Sequence, residues 1–314
     1  MSPRAHGRQP GAGRTTLSSA TMSPTSPLAT RLHNQMILAP LTRGGNLPFR
    51  RLCADFGCEV AMGEMVFARS LIKGDKVEMA RLRRAANERL FGVQIATNGV
   101  EEGVRAATLA ADAGADWVDL NCGCPIYEAT RRNLGSALLR YPHKLGKLVA
   151  GIAAGSRLPL SVKVRIAPEG GDINVREVVA ALRDAGAAAV TIHGRTTEAR
   201  YSKAADWELI AQCVSDNADY TMPIVGNGDI LTHFEARRHI EQSGVDSVMG
   251  THPTRANIWP IPNAPLMITL RSMCAQWDAA RSPSPGSSKS LRAVRAGSPP
   301  RPSASSCTAA WRAT

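Results

Sequence analysis

The sequence has no run of roughly 18 consecutive apolar residues, the length a membrane-crossing helix requires. Aromatic residues make up only 4% of its 314 positions, so any core must be built from aliphatic side chains and alanine. Its seven cysteines are odd in number and form no CxxC pair. That argues against both a disulfide framework and a zinc site, and reduced thiols in an intracellular protein fit better. No metal and no membrane partner are expected. The chain does not open with an apolar segment of the kind that marks a secretory signal. GxGxxG spacing is missing too. The glycine-bearing turn after the first apolar run reads PLTRGGN (40–46), which disfavours a doubly wound dinucleotide-binding fold.

Acidic residues are absent from both ends. Residues 1–33 carry Arg4, Arg8, Arg14 and Arg31, and residues 279–314 carry Arg281, Lys289, Arg292, Arg295, Arg301 and Arg312. These cations account for ten of the formal +12, so the middle is nearly neutral and bulk charge says little about a nucleic-acid partner. Both ends are rich in Pro, Ser and Gly without periodicity, and they are read as disordered basic tails. The first also resembles an organelle-import sequence, although a cytoplasmic or nuclear protein with a plain extension is the preferred reading. Residues 251–278 have room for one helix.

What remains, 34–250, repeats one unit. Strand-length apolar runs occur at 36–39, 59–63, 91–96, 117–121, 160–165, 188–193, 222–227 and 245–249. Amphipathic stretches separate them, clearest at 101–113 and 174–185, and both end at a glycine, Gly114 and Gly186, placed to stop a helix. Eight buried strands alternating with helices over about 215 residues predict a (β/α)8 TIM barrel. Such a barrel keeps its chemistry at the C-terminal ends of its strands. Those ends here carry Gln94, Asn121, Lys163, Arg165, His193, Asn227 and Asp229.

Four of these ends suggest chemistry. LNCGCPI (120–126) sets Cys124 on a short loop braced by Pro125. A thiol of ordinary pKa is protonated at neutral pH and can donate a proton, whereas the competing reading is a structural thiol. Cys122 is read as structural filler. SVKVR (161–165) puts Ser161, Lys163 and Arg165 on one strand face, and charges that cannot face the helices must point into the mouth. There they meet an anionic ligand or pair internally with Glu64 or Asp119. TIHGRT (191–196) brings His193 to a strand end. VGNGDI (225–230) follows the seventh strand, where barrels of this kind often hold phosphate, and Gly226 and Gly228 would let backbone N–H groups approach an anion.

With these stretches in place the sequence resembles the dihydrouridine synthases, most closely the eukaryotic type acting on position 47 of tRNA. ILAPLTRGGNLPFRRLCADFG (37–57), FGVQIA, VDLNCGCPI, GSALL, VKVR, HGRT, RYSKAADW and GNGDI carry the likeness, from Met36 to Met249. It implies an oxidoreductase with flavin mononucleotide, NADPH or NADH as reductant, and tRNA as substrate. Flavin N5 would deliver hydride to C6 of a uridine while Cys124 protonates C5. Pro40, Leu41, Thr42, Gln94, Lys163, His193, Asn227, Gly228 and Asp229 would line the flavin, and Asn121, Arg165, Arg131 and Arg132 would meet the substrate.

The likeness has gaps. Asn133 and Leu134 stand where the family's lid has glycines, which would hinder φ > 0 there. After Met249 the expected phosphate-site arginine and glycine are out of register, leaving Gly250 to offer a backbone N–H. The family's tRNA-gripping helical domain and zinc fingers are not recognisable. Two alternatives therefore stand: a flavin barrel acting on a free pyrimidine, and a non-catalytic product that binds neither flavin nor tRNA. A monomer is expected.

Overall fold

Alternating apolar runs and amphipathic stretches fold as the sequence predicts, into parallel strands each returned by a helix. The computed structural model describes residues 27–199 and 203–250. The strands are β1 (Met36–Leu38), β2 (Val60–Met62), β3 (Val66–Phe67), β4 (Leu90–Ala96), β5 (Trp117–Cys122), β6 (Leu160–Arg165), β7 (Ala189–His193), β8 (Ile224–Asn227) and β9 (Ser247–Gly250). All pair in parallel, and β1 pairs with both β2 and β9, which closes the barrel. The ninth strand does not change the barrel number. β2 and β3 pair with successive stretches of β4, at Leu90–Gly92 and Ile95–Ala96. They are one barrel position interrupted at Gly63–Met65, where one extra residue opposes β4 as in a bulge.

The helices are α1 (Pro27–Leu32), α2 (Leu47–Asp55), α3 (Ala68–Ile72), α4 (Lys76–Arg81), α5 (Val100–Asp112), α6 (Tyr127–Thr130), α7 (Pro142–Gly155), α8 (Val175–Asp184), α9 (Trp207–Asp216) and α10 (His233–Ser243). Burying apolar stripes such as Val175, Val178, Val179 and Leu182 of α8 seats the helices on the barrel's outer face. Gly114 and Gly186 take left-handed φ values of 85° and 80° just past α5 and α8, as their position in the sequence predicts.

The lower, N-terminal end of the barrel is apolar. Trp117, Ile37, Val60, Leu90 and Val225 meet there, and α1 joins them through Leu28 and Leu32. This corrects the expectation for the N-terminal tail at residues 27–32, which form a helix that buries its leucines. The rest of both expected tails, and the segment 251–278 with its single helix, lie outside the described residues.

A buried ion pair fixes the loop that follows β1. Arg50 is 1% exposed and donates to Glu88 Oε1 (2.7 Å), to Gly45 O (2.9 Å) and to Arg83 O (2.6 Å). Satisfying its donors this way is the condition for burying a guanidinium at all. The consequence is a fixed turn at 41–45, where the N–H groups of Gly44 and Gly45 both donate to Leu41 O.

Candidate active site

Strand alternation sends Asp119 and Asn121 of β5, Gln94 of β4, and Ser161 and Lys163 of β6 to the same interior. There they form a continuous chain of hydrogen bonds. Ser161 Oγ donates to Asp119 Oδ1 (2.6 Å), and Gln94 Nε2 donates to Asp119 Oδ2 (2.8 Å). Asn121 Nδ2 donates to Gln94 Oε1 (2.7 Å), and the Cys124 N–H donates to Asn121 Oδ1 (2.9 Å). A carboxylate only accepts, so Asp119 orients the Gln94 amide, and Gln94 in turn orients Asn121. Asn121 thereby presents oxygen, not nitrogen, to the backbone of Cys124. Burial pushes the Asp119 carboxyl up to about 6, with Ser161, Gln94 and the nearby Lys163 charge pulling the other way.

Cys124 is partly exposed at the mouth and is held from both sides. Its carbonyl accepts from the Ser136 N–H (3.0 Å). Gly135 passes so close that a Cβ there would stand 2.3 Å from Cys124 O, and its φ of 61° also favours glycine. Burial raises the thiol above its ordinary value, with Arg165 and Lys163 opposing the shift. A raised value keeps the thiol protonated at neutral pH, the state a proton donor needs. Cys122, two residues earlier, is fully buried and is structural, as expected.

Positive charge gathers beside the thiol. Lys163 and Arg165 point into the barrel, as alternation predicts. Neither pairs with Glu64 or Asp119; Glu64 instead bonds Arg81. Lys163 Nζ donates to Asn227 Oδ1 (3.0 Å), and among the described residues no carboxylate lies within salt-bridge distance of it. Burial, then Arg165, lowers its pKa to about 8. Arg165 donates to Gly123 O and Thr196 O, both at 2.9 Å, and so braces the Cys124 loop. His193 lies half-buried near these cations, and burial, then Lys163, Arg165 and Arg195, drive its pKa far below the usual range. It is a neutral imidazole at physiological pH.

Other expected cofactor residues have different surroundings. Gln94 is engaged at both ends in the chain to Asp119. Asn227 is 1% exposed and joins Lys163 Nζ to Met249 O through its Nδ2 (2.7 Å). Asp229 accepts from Arg195 Nη2 (2.5 Å) and from the Ala205 N–H (2.7 Å), tying the loops after β7 and β8 together. All three side chains are thus hydrogen-bonded to neighbouring residues of the site. Gly228 takes φ 123°, and a Cβ there would strike Ala205 Cβ at 2.6 Å. At Gly226 a Cβ would strike the Trp207 ring at 2.3 Å, so packing alone demands a glycine there. Pro40 and Leu41 are half-buried and Thr42 is exposed on the turn that Arg50 holds. Gly250 closes the barrel, its carbonyl accepting from Ala39 N–H (2.9 Å).

The lid also differs from expectation. Asn133 adopts φ 55°, which asparagine tolerates, and Leu134 has an extended backbone with φ −111°. Leu134 is buried with Met65, Ala96 and Ala129, against Phe67 and Cys124. Arg131 and Arg132 are exposed on this lid, and Arg131 is bonded to Glu128 (2.6 Å). Sequence reasoning missed the roles of Asp119, Ser161 and Arg195. The alternation used for SVKVR, applied to WVDLN (117–121), puts Asp119 on the same face as Asn121, so that signal was available. Arg195 carried no such signal.

A closed parallel barrel with a protonated thiol and a half-buried lysine at its mouth defines a (β/α)8 protein suited to proton transfer at a bound ligand. The model of the family Dihydrouridine synthase (Dus) matches residues 37–258, and the chain belongs to that family. The match runs past Met249, where the resemblance in the sequence stopped. A relative from Cryptococcus neoformans named tRNA-dihydrouridine(47) synthase, with NAD(P)(+) in its name, is 42% identical over 68% of this chain and 31% of its own length. Relatives from Arabidopsis thaliana and Homo sapiens, with "-like" added to that name, are 40% and 39% identical over 66% and 69% of this chain. The chain spans about a third of the length of these relatives. Histamine dehydrogenase from Rhizobium sp. 4-9 shares the fold, with a TM-score of 0.55 at 16% identity over 71% of this chain and 44% of that one.

Proposed function

We propose that this chain reduces the C5=C6 bond of a uridine in tRNA, with a flavin mononucleotide bound at the barrel mouth, NADPH or NADH as reductant and Cys124 as proton donor. The carrying observation is the Cys124 thiol: kept protonated by burial, fixed through Asn121 and Ser136, and set beside the half-buried Lys163. The donor set suits a flavin. A partly desolvated ammonium with no carboxylate within salt-bridge distance among the described residues is stabilised by an electron-rich or anionic ligand. Neutral His193 adds a hydrogen-bonding edge without further charge. Residues 40–42 would meet such a ligand from the fixed turn after β1, and the backbone of Gly228 from the loop after β8. A bound flavin would supply the hydride.

The protein's own part is to orient and protonate. Lys163 holds positive charge where the ligand becomes electron-rich, and Asn227 fixes the ammonium's direction. Asn121 and Arg165 hold the loop that aims the thiol, which gives its proton at C5 and needs one back from solvent. Removing an acid of this kind costs about 10²–10⁴ in rate. The relatives' names support tRNA as substrate and NAD(P)H as reductant, and cytoplasm or nucleus suits such a reaction. No helix among the described residues is long and apolar enough to cross a membrane, and no cluster of His, Cys, Asp and Glu there suits a metal.

The test is conversion of an unmodified tRNA transcript by the purified protein, with flavin content measured in the same sample. Dihydrouridine formed with NADPH or NADH is the expected outcome. A flavin-loaded protein that reduces free uracil and leaves tRNA untouched would move the substrate. A protein that cannot be loaded with flavin would remove the reading.

A further inference from the structure

The connection from β5 to α7, residues 123–141, rims the mouth beyond Cys124. At one side Arg132 lies 5.3 Å over the Phe67 ring, and Asn98 Nδ2 donates to Arg132 O (3.1 Å). At the other, Arg140 donates to Glu169 O (3.5 Å) in the loop after β6. The segment therefore crosses from the end of the second barrel position to that of the fifth. Together with the first turns of α7, residues 123–150 carry Arg131, Arg132, Arg140, Lys144 and Lys147 against one acid, Glu128. All five cations are exposed, on a chain whose middle is otherwise close to neutral.

Two tyrosines interleave with them. Tyr127 is 75% exposed and Tyr141 60% exposed, so neither serves the core. Arg131 lies 5.8 Å over the Tyr127 ring and Lys144 lies 4.6 Å over that of Tyr141. Tyr127 stands three residues from Cys124. Glu128 holds Arg131 at 2.6 Å, so Arg131 braces the Tyr127 ring instead of reaching outward.

We propose that this rim is a docking strip for unpaired RNA, in which Tyr127 and Tyr141 stack on bases flanking the reacting uridine. The proposal rests on the tRNA reading above. A uridine reaches the mouth only by leaving its stack, and its neighbours then lose a stacking partner. An exposed aromatic ring replaces that partner whatever the base, because every base has a π-face. Arg132, Arg140, Lys144 and Lys147 supply the charge that follows the phosphates. A duplex offers no free base faces, so it engages the cations alone. That difference makes the tyrosines' contribution specific to unpaired strands.

The test uses the full chain and three fluorescent probes: an unmodified tRNA transcript, a uridine-rich single strand and an RNA duplex, each titrated by anisotropy. Tyr127→Ala and Tyr141→Ala are each expected to weaken tRNA and single-strand binding roughly tenfold and to leave duplex binding unchanged. Tyr127→Phe and Tyr141→Phe should bind as wild type, since stacking needs the ring and not the hydroxyl. Thermal unfolding checks that each variant is folded, with Tyr127→Gln and Tyr141→Gln as second polar replacements. Wild type that binds tRNA while the alanine variants bind the single strand equally well would overturn the strip alone. So would an equal loss on the duplex. Wild type that binds no tRNA would overturn the substrate reading and the strip together.

Discussion

At the lower end of the barrel, Trp117, Ile37, Leu90 and Val225 meet Leu28 and Leu32 of α1 in an apolar plug. A few residues further along the same strands, the interior holds Gln94, Asp119, Asn121, Lys163 and His193. Along β5 the inward-facing residues run Trp117, Asp119, Asn121, from ring to carboxyl to amide. The lower end is stabilised by removing carbon from water. The upper end loses stability by burying a carboxyl and an ammonium, and it is tolerable because each is hydrogen-bonded. One set of strands thus separates the part that keeps the fold from the part that positions a reacting group.

The division between the two ends is open to substitution. Cys124→Ala should lower tRNA reduction by about 10²–10⁴, read as dihydrouridine formed per minute; wild-type turnover would remove the thiol from the reaction. Trp117→Ala should cost about 3–5 kcal/mol of stability in denaturant unfolding, the loss expected when a large buried ring leaves a cavity. Leu32→Ala should cost about 2–5 kcal/mol if α1 truly plugs the barrel, and a near-zero value would detach α1 from it. Lys163→Met should behave in the opposite way, with stability kept or raised while flavin occupancy falls, because it removes a partly desolvated charge. If Lys163→Met unfolded the barrel as readily as Trp117→Ala, the division between the two ends would fail.

Asp119 supplies a pH test. Its folded-state pKa, about 6, lies above its ordinary value of 3.8, so the folded protein binds this proton more tightly than the unfolded chain. Its contribution is fully present below pH 3.8 and is lost as pH rises through about 6. Asp119→Asn should flatten that part of the stability profile. An unchanged slope between pH 4 and 6 would show that the carboxyl is not held in this way. Smallest of all, Asn133→Gly should leave stability within a few tenths of a kcal/mol, whereas Asn133→Ala should cost about 1 kcal/mol for its left-handed backbone.

The sequence by itself determined the eight-fold repeat, because apolar strand runs and glycine-stopped helices are local signals. It also determined which face of SVKVR turns inward and that Cys124 lies on the loop just after the fourth barrel strand. Tertiary structure decided the partners. Gln94, Asn227 and Asp229 stand at strand ends, and only through-space neighbours show that they also bond Asp119, Lys163 and Arg195. The helix at 27–32 is six residues long, and the burial of Leu28 and Leu32 under a distant tryptophan is invisible to any local pattern. The polarity of the chain from Asp119 to Cys124 likewise needs β4 and β5 side by side. Local periodicity fixes which way a side chain points, whereas what it meets depends on segments far away in sequence.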